Sequence, residues 1–266
     1  MRTLSIVSCM AENSEALCHS IAEILETEVG IPTEYVTGIP WQERERLFDL
    51  GEIQILWLCG LPDVDKADLV GNDMELLAVP VPAGARYHGR PVYFSDVVVR
   101  RESSCESFID LSGASWANNQ PRSHSDFNMV RAYLAELGER EGFFGNVLES
   151  GADTHSIGLI MSGAVDVAAI DSTVLEWLIS QRGDLAAELR VIDTIGPSPI
   201  PPWVISKNLP DSFRSEIRQT LLDLRLSAPG QAVLERAQIA QFVCADDHDY
   251  DPIRLMARNA AAVLLA

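Results

Sequence analysis

The chain has 266 residues, 47% apolar and 22% charged, with a formal net charge of −19. Those values describe a soluble globular chain long enough for one large domain or two lobes. The acid excess excludes nucleic acid and anionic membrane surfaces as partners, since both are held by clustered Lys and Arg, but it leaves room for a small anionic ligand, because a pocket's local field can oppose the net charge.

Short β runs alternate with helical periods, the pattern of an α/β fold with mostly parallel sheets. "LSIVS" (4–8) is a predicted strand. "NSEALCHSIAEILETE" (13–28) is a helix with Asn13 or Ser14 as cap and Leu17, Ile21, Ile24 and Leu25 on one face. "TEYVT" is a second strand, and "WQERERLFDLG" a short helix closed by Gly51. "IQILWL" (53–58), "ELLAVPV" (75–81) and "PVYFSDVVVRR" (91–101) are strands.

A second series starts with the strand "ASWAN" (114–118) and a helix over 123–138. The strand "GNVLES" (145–150), the helix "DTHSIGLIMSG" (153–163) and the strand "VDVAAI" (165–170) follow. "DSTVLEWLISQ" is a helix capped by Asp171 or Ser172, and "LRVIDTIG" (189–196) a strand. After the stiff "GPSPIPP" come the strand "WVIS" and then mainly helices. Two βα series with a late return predict two lobes, 1–101 with 197–266 and the inserted 102–196, joined by hinge segments near 100–104 and 194–200. A ligand cleft is expected where strand ends and helix starts converge.

No apolar run approaches the roughly 20 residues of a membrane helix, and the N-terminus lacks the pattern of a secretory signal. As written the chain reads as cytoplasmic, and as periplasmic if it is a mature form. Cys9, Cys18, Cys59, Cys105 and Cys244 form no CxxC and have no zinc-type spacing. Packing thiols are the favoured reading over a Cys9–Cys59 disulfide. No metal and no cofactor is expected, since neither HExxH nor a P-loop occurs.

Three strand-to-helix turns carry the chemistry: Arg122-Ser123-His124-Ser125, Thr154-His155-Ser156 and Asp171-Ser172-Thr173. Helix N-termini offer free amides and a positive dipole end, hydroxyls add donors, and Arg or His adds charge, which together suit an oxyanion. Each piece also has a structural reading as a cap or a core histidine. Asp126 in a first turn favours the dipole, yet it would compete with a bound anion if it faced the cleft. From the first lobe, Ser8, Cys9, Glu12 and the "LCGLP" turn should line the opposite wall. Trp116 and Trp203 fit the core or a ligand platform equally.

"DLSGASWANNQPRSHSDFN", "FFGNVLESGADTHSIGLIMSGAVDVAAIDSTVLEWL" and "IGPSPIPPWVIS" together resemble the phosphonate/phosphate-type substrate-binding proteins of ABC transporters. The resemblance implies a two-lobed type II periplasmic-binding-protein fold, each lobe a mainly parallel sheet flanked by helices. It also implies that an oxyanion binds at the turn matching Ser123-His124-Ser125, helped by those matching His155 and Asp171. Gly usually follows the position of Ser125 in that family; here Asp126 does. The expected function is capture of a small oxyanion-bearing ligand by hinge closure, as a transport component or an orphan sensor. Its partner would be a transporter permease or a regulatory protein. The alternative is an enzyme of the same fold, of a pyrimidine-biosynthesis or other His-dependent kind, although no GxSxG elbow supports a hydrolase.

Overall fold

The computed structural model describes residues 3–69 and 73–266, the side chains of Glu12, Trp41 and Gln42 excepted. In chain order it begins with β1 (Leu4–Ser8), α1 (Glu15–Val29), β2 (Thr33–Tyr35), α2 (Trp41–Asp49), β3 (Ile55–Trp57), α3 (Gly60–Ala67) and β4 (Met74–Pro82). β5 (Val92–Arg100) and β6 (Ser115–Asn118) follow, then a π-type turn (His124–Asn128) running into α4 (Met129–Glu136). Next come β7 (Asn146–Glu149), α5 (Asp153–Ser162), β8 (Val167–Asp171), α6 (Ser172–Gln181), α7 (Leu185–Glu188) and β9 (Leu189–Pro199). The chain ends with β10 (Trp203–Ser206), α8 (Asp211–Asp223), α9 (Ala228–Arg236), β11 (Ile239–Val243) and α10 (Asp251–Ala260).

The chain divides into two compact units, residues 1–92 with 199–250 and residues 93–198 with 251–266. The first is built on a sheet of order β11-β4-β10-β3-β1-β2. Alternation along its strands sorts side chains to two covered faces. Leu4, Ile6, Ile55, Trp57, Trp203 and Ile205 join one apolar cluster with α1, α8 and α9. Val7, Leu56, Leu58 and Val204 join another with Phe48 of α2. Sheets buried on both faces require such apolar strands.

β1 runs parallel to β2 and β3, but β10 is antiparallel to β3 and β4, and β11 antiparallel to β4. The sheet is therefore mixed rather than mainly parallel. β10 re-enters this unit after the whole inserted segment and pairs between β3 and β4 in the reverse direction. Trp203 and Trp116, which the sequence left between core and ligand, are both fully buried; Trp203 stacks on Trp57 with centroids 5.3 Å apart and Trp116 on Phe144 at 4.3 Å.

The second unit's sheet has the order β7-β6-β8-β5-β9, with β6 parallel to β7 and β8, and β8 antiparallel to β5. Two expected boundaries change here. Residues 93–101 belong with the inserted stretch, because β5 pairs with β8 from Ser95 opposite Asp171 to Val99 opposite Val167. Residues 251–266 also belong with this unit. The Leu264 amide donates to the Arg140 carbonyl at 2.7 Å, the Phe144 amide to Leu265 at 3.1 Å, and Arg131 Nε to Val263 at 2.7 Å. The chain thus crosses between units three times, the third after residue 250.

Ile253 of α10 is fully buried. Ile253→Ala should cost about 2–5 kcal/mol through lost transfer energy and the cavity left behind. Amide exchange measured by mass spectrometry should quicken in α4 and α10 while the first unit's sheet keeps its protection.

Candidate functional site

Because β7, β6 and β8 are adjacent and parallel, their carboxyl ends share one edge, and the helices that follow them begin there. That topology brings together the 122–126, 153–156 and 171–173 turns within the second unit. Around Ser123 the chain opens a wide first turn. The Asn128 amide donates to the Ser123 carbonyl at 3.1 Å, a π-type step, so the amides of residues 124–127 stand outside the helical ladder. Ser123 makes no side-chain cap, unlike the cap the sequence led one to expect. The Ser95 hydroxyl of β5 instead braces the turn by donating to the Ser125 carbonyl at 2.8 Å.

His124 is fully buried and both ring nitrogens are engaged. The Asn128 amide lies 3.0 Å from Nδ1, and the Ser198 hydroxyl 2.8 Å from Nε2. An amide N–H donating to Nδ1 leaves the ring proton on Nε2, donated to Ser198. Burial pushes the imidazole down to about 3, so His124 is neutral and brings no positive charge to a ligand. Arg122 and His155 are exposed, and His155 Nδ1 donates to the Ser150 carbonyl at 3.1 Å. Ser123 and Ser125 are less than a tenth exposed.

Asp171 caps α6, its Oδ1 accepting from the Thr173 amide at 2.8 Å and the Thr173 hydroxyl at 2.7 Å. Asp126 takes the Asn119 amide on Oδ2. Asp153, at the first position of α5, completes a cluster the sequence reading missed, since a carboxylate there looks like an ordinary dipole partner. Asp126 is 0% exposed and Asp153 5%, and Oδ1 of each lacks a hydrogen-bond partner. Burial pushes Asp126 up to about 7 against hydrogen bonds from Ser123 and Asn119, with a further rise from Asp171. Burial lifts Asp171 to about 6. Asp153 lies well above the usual carboxylate range through burial and then the charges of Asp126 and Asp171.

In the first unit Ser8 is fully buried: its hydroxyl lies 2.8 Å from that of Ser14 and accepts the Met10 amide at 3.0 Å, while its carbonyl takes Arg44. The Glu12 side chain lies outside the described residues. Cys9 and Cys59 are thiols, and burial pushes Cys9 up to about 12. Among the described residues no cluster of His, Cys, Asp and Glu could hold a metal ion, and no helix is long and apolar enough to cross a membrane.

Two α/β units joined by repeated crossings are the fold of the two-lobed periplasmic binding proteins. A binding-protein component of an ABC phosphonate transporter from Pseudomonas aeruginosa shares it with a TM-score of 0.84 at 19% identity, over 97% of this chain and 86% of that one. The PhnD1 protein of Prochlorococcus marinus, solved in complex with methylphosphonate, also gives 0.84, at 18% identity over 98% and 99%. Residues 7–250 match the family described as periplasmic substrate-binding proteins of phosphonate ABC transporters, and the chain belongs to that family. It is 26% identical over 211 residues to the phosphonates-binding periplasmic protein of Escherichia coli K12, covering 77% of this chain and 60% of that protein's length.

The buried carboxyls predict an unusual pH response. A carboxyl raised in the folded state binds more protons there than in the unfolded chain, so its contribution is full below about pH 4 and is lost as pH rises through its folded value. Buried His124 acts oppositely, gaining stability as pH rises from about 3 to about 6.5. Comparison with Asp126→Asn isolates one carboxyl: in urea titrations the variant should gain on the wild type steadily from about pH 4 to about pH 7, by on the order of 1–3 kcal/mol. A constant difference across that range contradicts the assignment.

Proposed function

We propose that this protein is the solute-binding component of an ABC importer and that it captures a small phosphorus oxyanion of the phosphonate–phosphate class. Family membership supports the importer role and the periplasm as its place of work. The observation that carries the ligand reading is the convergence of three helix starts on one sheet edge. There the 124–127 amides stand outside the helical ladder, and the Ser123 and Ser125 side chains share their turn. An N-terminal turn of this kind presents amide donors and positive potential to an oxyanion without needing a nearby cation.

In this reading exposed Arg122 supplies charge from the edge, His155 closes the turn after β7 on the Ser150 carbonyl, and Asp171 orders α6 through its cap. His124 acts as a brace, tying the turn to β9 through Ser198. Ser8 acts by bracing the turn after β1 through Ser14 and Met10. Capture by closure of the two lobes on the ligand, at the chain crossings, belongs to the same proposal. A ligand that gains contacts only in one state favours that state by its differential affinity, and the transporter permease reads the result.

Thermal melts near pH 6 with phosphate, phosphite, methylphosphonate, 2-aminoethylphosphonate and sulfate test the proposal. At a hundredfold excess over the dissociation constant, a ligand should stabilise the protein by about 2.7 kcal/mol. Ser125→Ala should weaken that gain, and His124→Ala should lower stability in both the presence and the absence of ligand. No shift with any phosphorus oxyanion overturns the ligand class.

A further inference from the structure

We infer that Asp126, backed by Asp153, makes oxyanion capture at the 122–126 turn proton-linked: a proton from solvent joins the carboxyl pair as the anion arrives. The anion then meets a carboxylic acid and not a fixed negative charge. This rests on the reading that the turn meets the ligand. Asp126 lies in the first turn after β6 and Asp153 at the first position of α5, so both sit among the amide donors an oxyanion would use. Each has one buried oxygen, Oδ1, without a hydrogen-bond partner. A proton on such an oxygen removes the charge and turns an orphaned acceptor into a donor.

Burial and the neighbouring carboxylates oppose the charged form of the pair more strongly than hydrogen bonds from Ser123 and Asn119 favour it. From β6 comes the Asn119 amide, and from the same turn Ser123 and neutral His124. β8 and α6 bring Asp171 with Thr173, and β5 brings Asp96, held by Thr194 of β9 at 2.9 Å. α10 also packs on the turn, and its Arg254 pairs with Asp251 at 3.2 Å. Arg131 of α4 lies 4.8 Å from the Phe127 ring centroid and donates to the Val263 carbonyl. Arg122 is exposed. The charges acting on Asp153 are those of Asp126 and Asp171, both carboxylates. Placing an oxyanion beside two buried carboxylates is unfavourable unless protons accompany it.

Isothermal titration of the full chain with methylphosphonate, between about pH 6 and about pH 9, reads the linkage. Wild type should lose affinity about tenfold more per pH unit above about pH 7 than Asp126→Asn does. The comparison with the variant removes the ligand's own ionisation. Titrations in two buffers of different ionisation heat should show about one more proton absorbed per ligand by the wild type than by the variant. Should Asp126→Asn fold poorly, Asp153→Asn gives the same comparison. Infrared spectra of the wild type at about pH 8 should gain a protonated-carboxyl band when methylphosphonate binds, and that gain should be lost in Asp126→Asn.

Methylphosphonate binding with equal pH slopes and equal proton uptake in wild type and variants overturns the linkage and leaves the oxyanion reading standing. Methylphosphonate binding at about pH 8 with no gain of that infrared band overturns the linkage as well. No oxyanion binding by wild type or variants at any pH overturns the site reading, and the linkage with it.

Discussion

Three aspartates buried together at one sheet edge set the electrostatics of the second unit's candidate site. Asp171 ends β8, and Asp126 and Asp153 follow the carboxyl ends of β6 and β7, so parallel pairing brings all three to one edge. Helix dipoles and first-turn amides offset part of the cost of burying a carboxylate. Asp171 gains most from this, since its Oδ1 takes both donors of Thr173. Asp126 and Asp153 each keep an orphaned oxygen, and protonation relieves what the dipoles do not.

The scaffold around that edge is built for rigidity. The Ser123–Ser125 turn is tied to β5 by Ser95 and to β9 by His124 and Ser198. Both of those strands run across the boundary between the units, at residues 92–93 and 198–199. The turn is thus hydrogen-bonded to both strands by which the chain first passes between the units. The return of residues 251–266 to the second unit adds a third crossing and fastens α10 against the same turn.

Much of the architecture was legible because its strands are short apolar runs bounded by turn residues, and β1, β4, β6 and β8 fall where alternation and β-branched composition put them. Strand direction was not legible: "WVIS" reads the same whichever way it pairs, and β10 pairs antiparallel to β3. α3 was read as a turn because Gly60 and Pro62 open it, although proline is well tolerated in a first turn. β11 was lost among helices, its five residues "IAQFV" being too few to show a period. At the candidate site, the Ser-His-Ser run drew attention to its turn, but its spacing could not tell that His124 faces inward to Asn128 and Ser198. Asp153 went unnoticed because its burial depends on β7 and β6 pairing side by side, which is a tertiary fact.

The most direct test of the account is a crystal structure of the chain grown near pH 6 with methylphosphonate. The account predicts phosphonate oxygens within hydrogen-bond reach of the amides and hydroxyls of the Ser123–Ser125 turn. Asp126 should then lie close enough to a ligand oxygen to share a proton with it. Phosphonate density at another site, with the 123–125 amides facing only water, would contradict it.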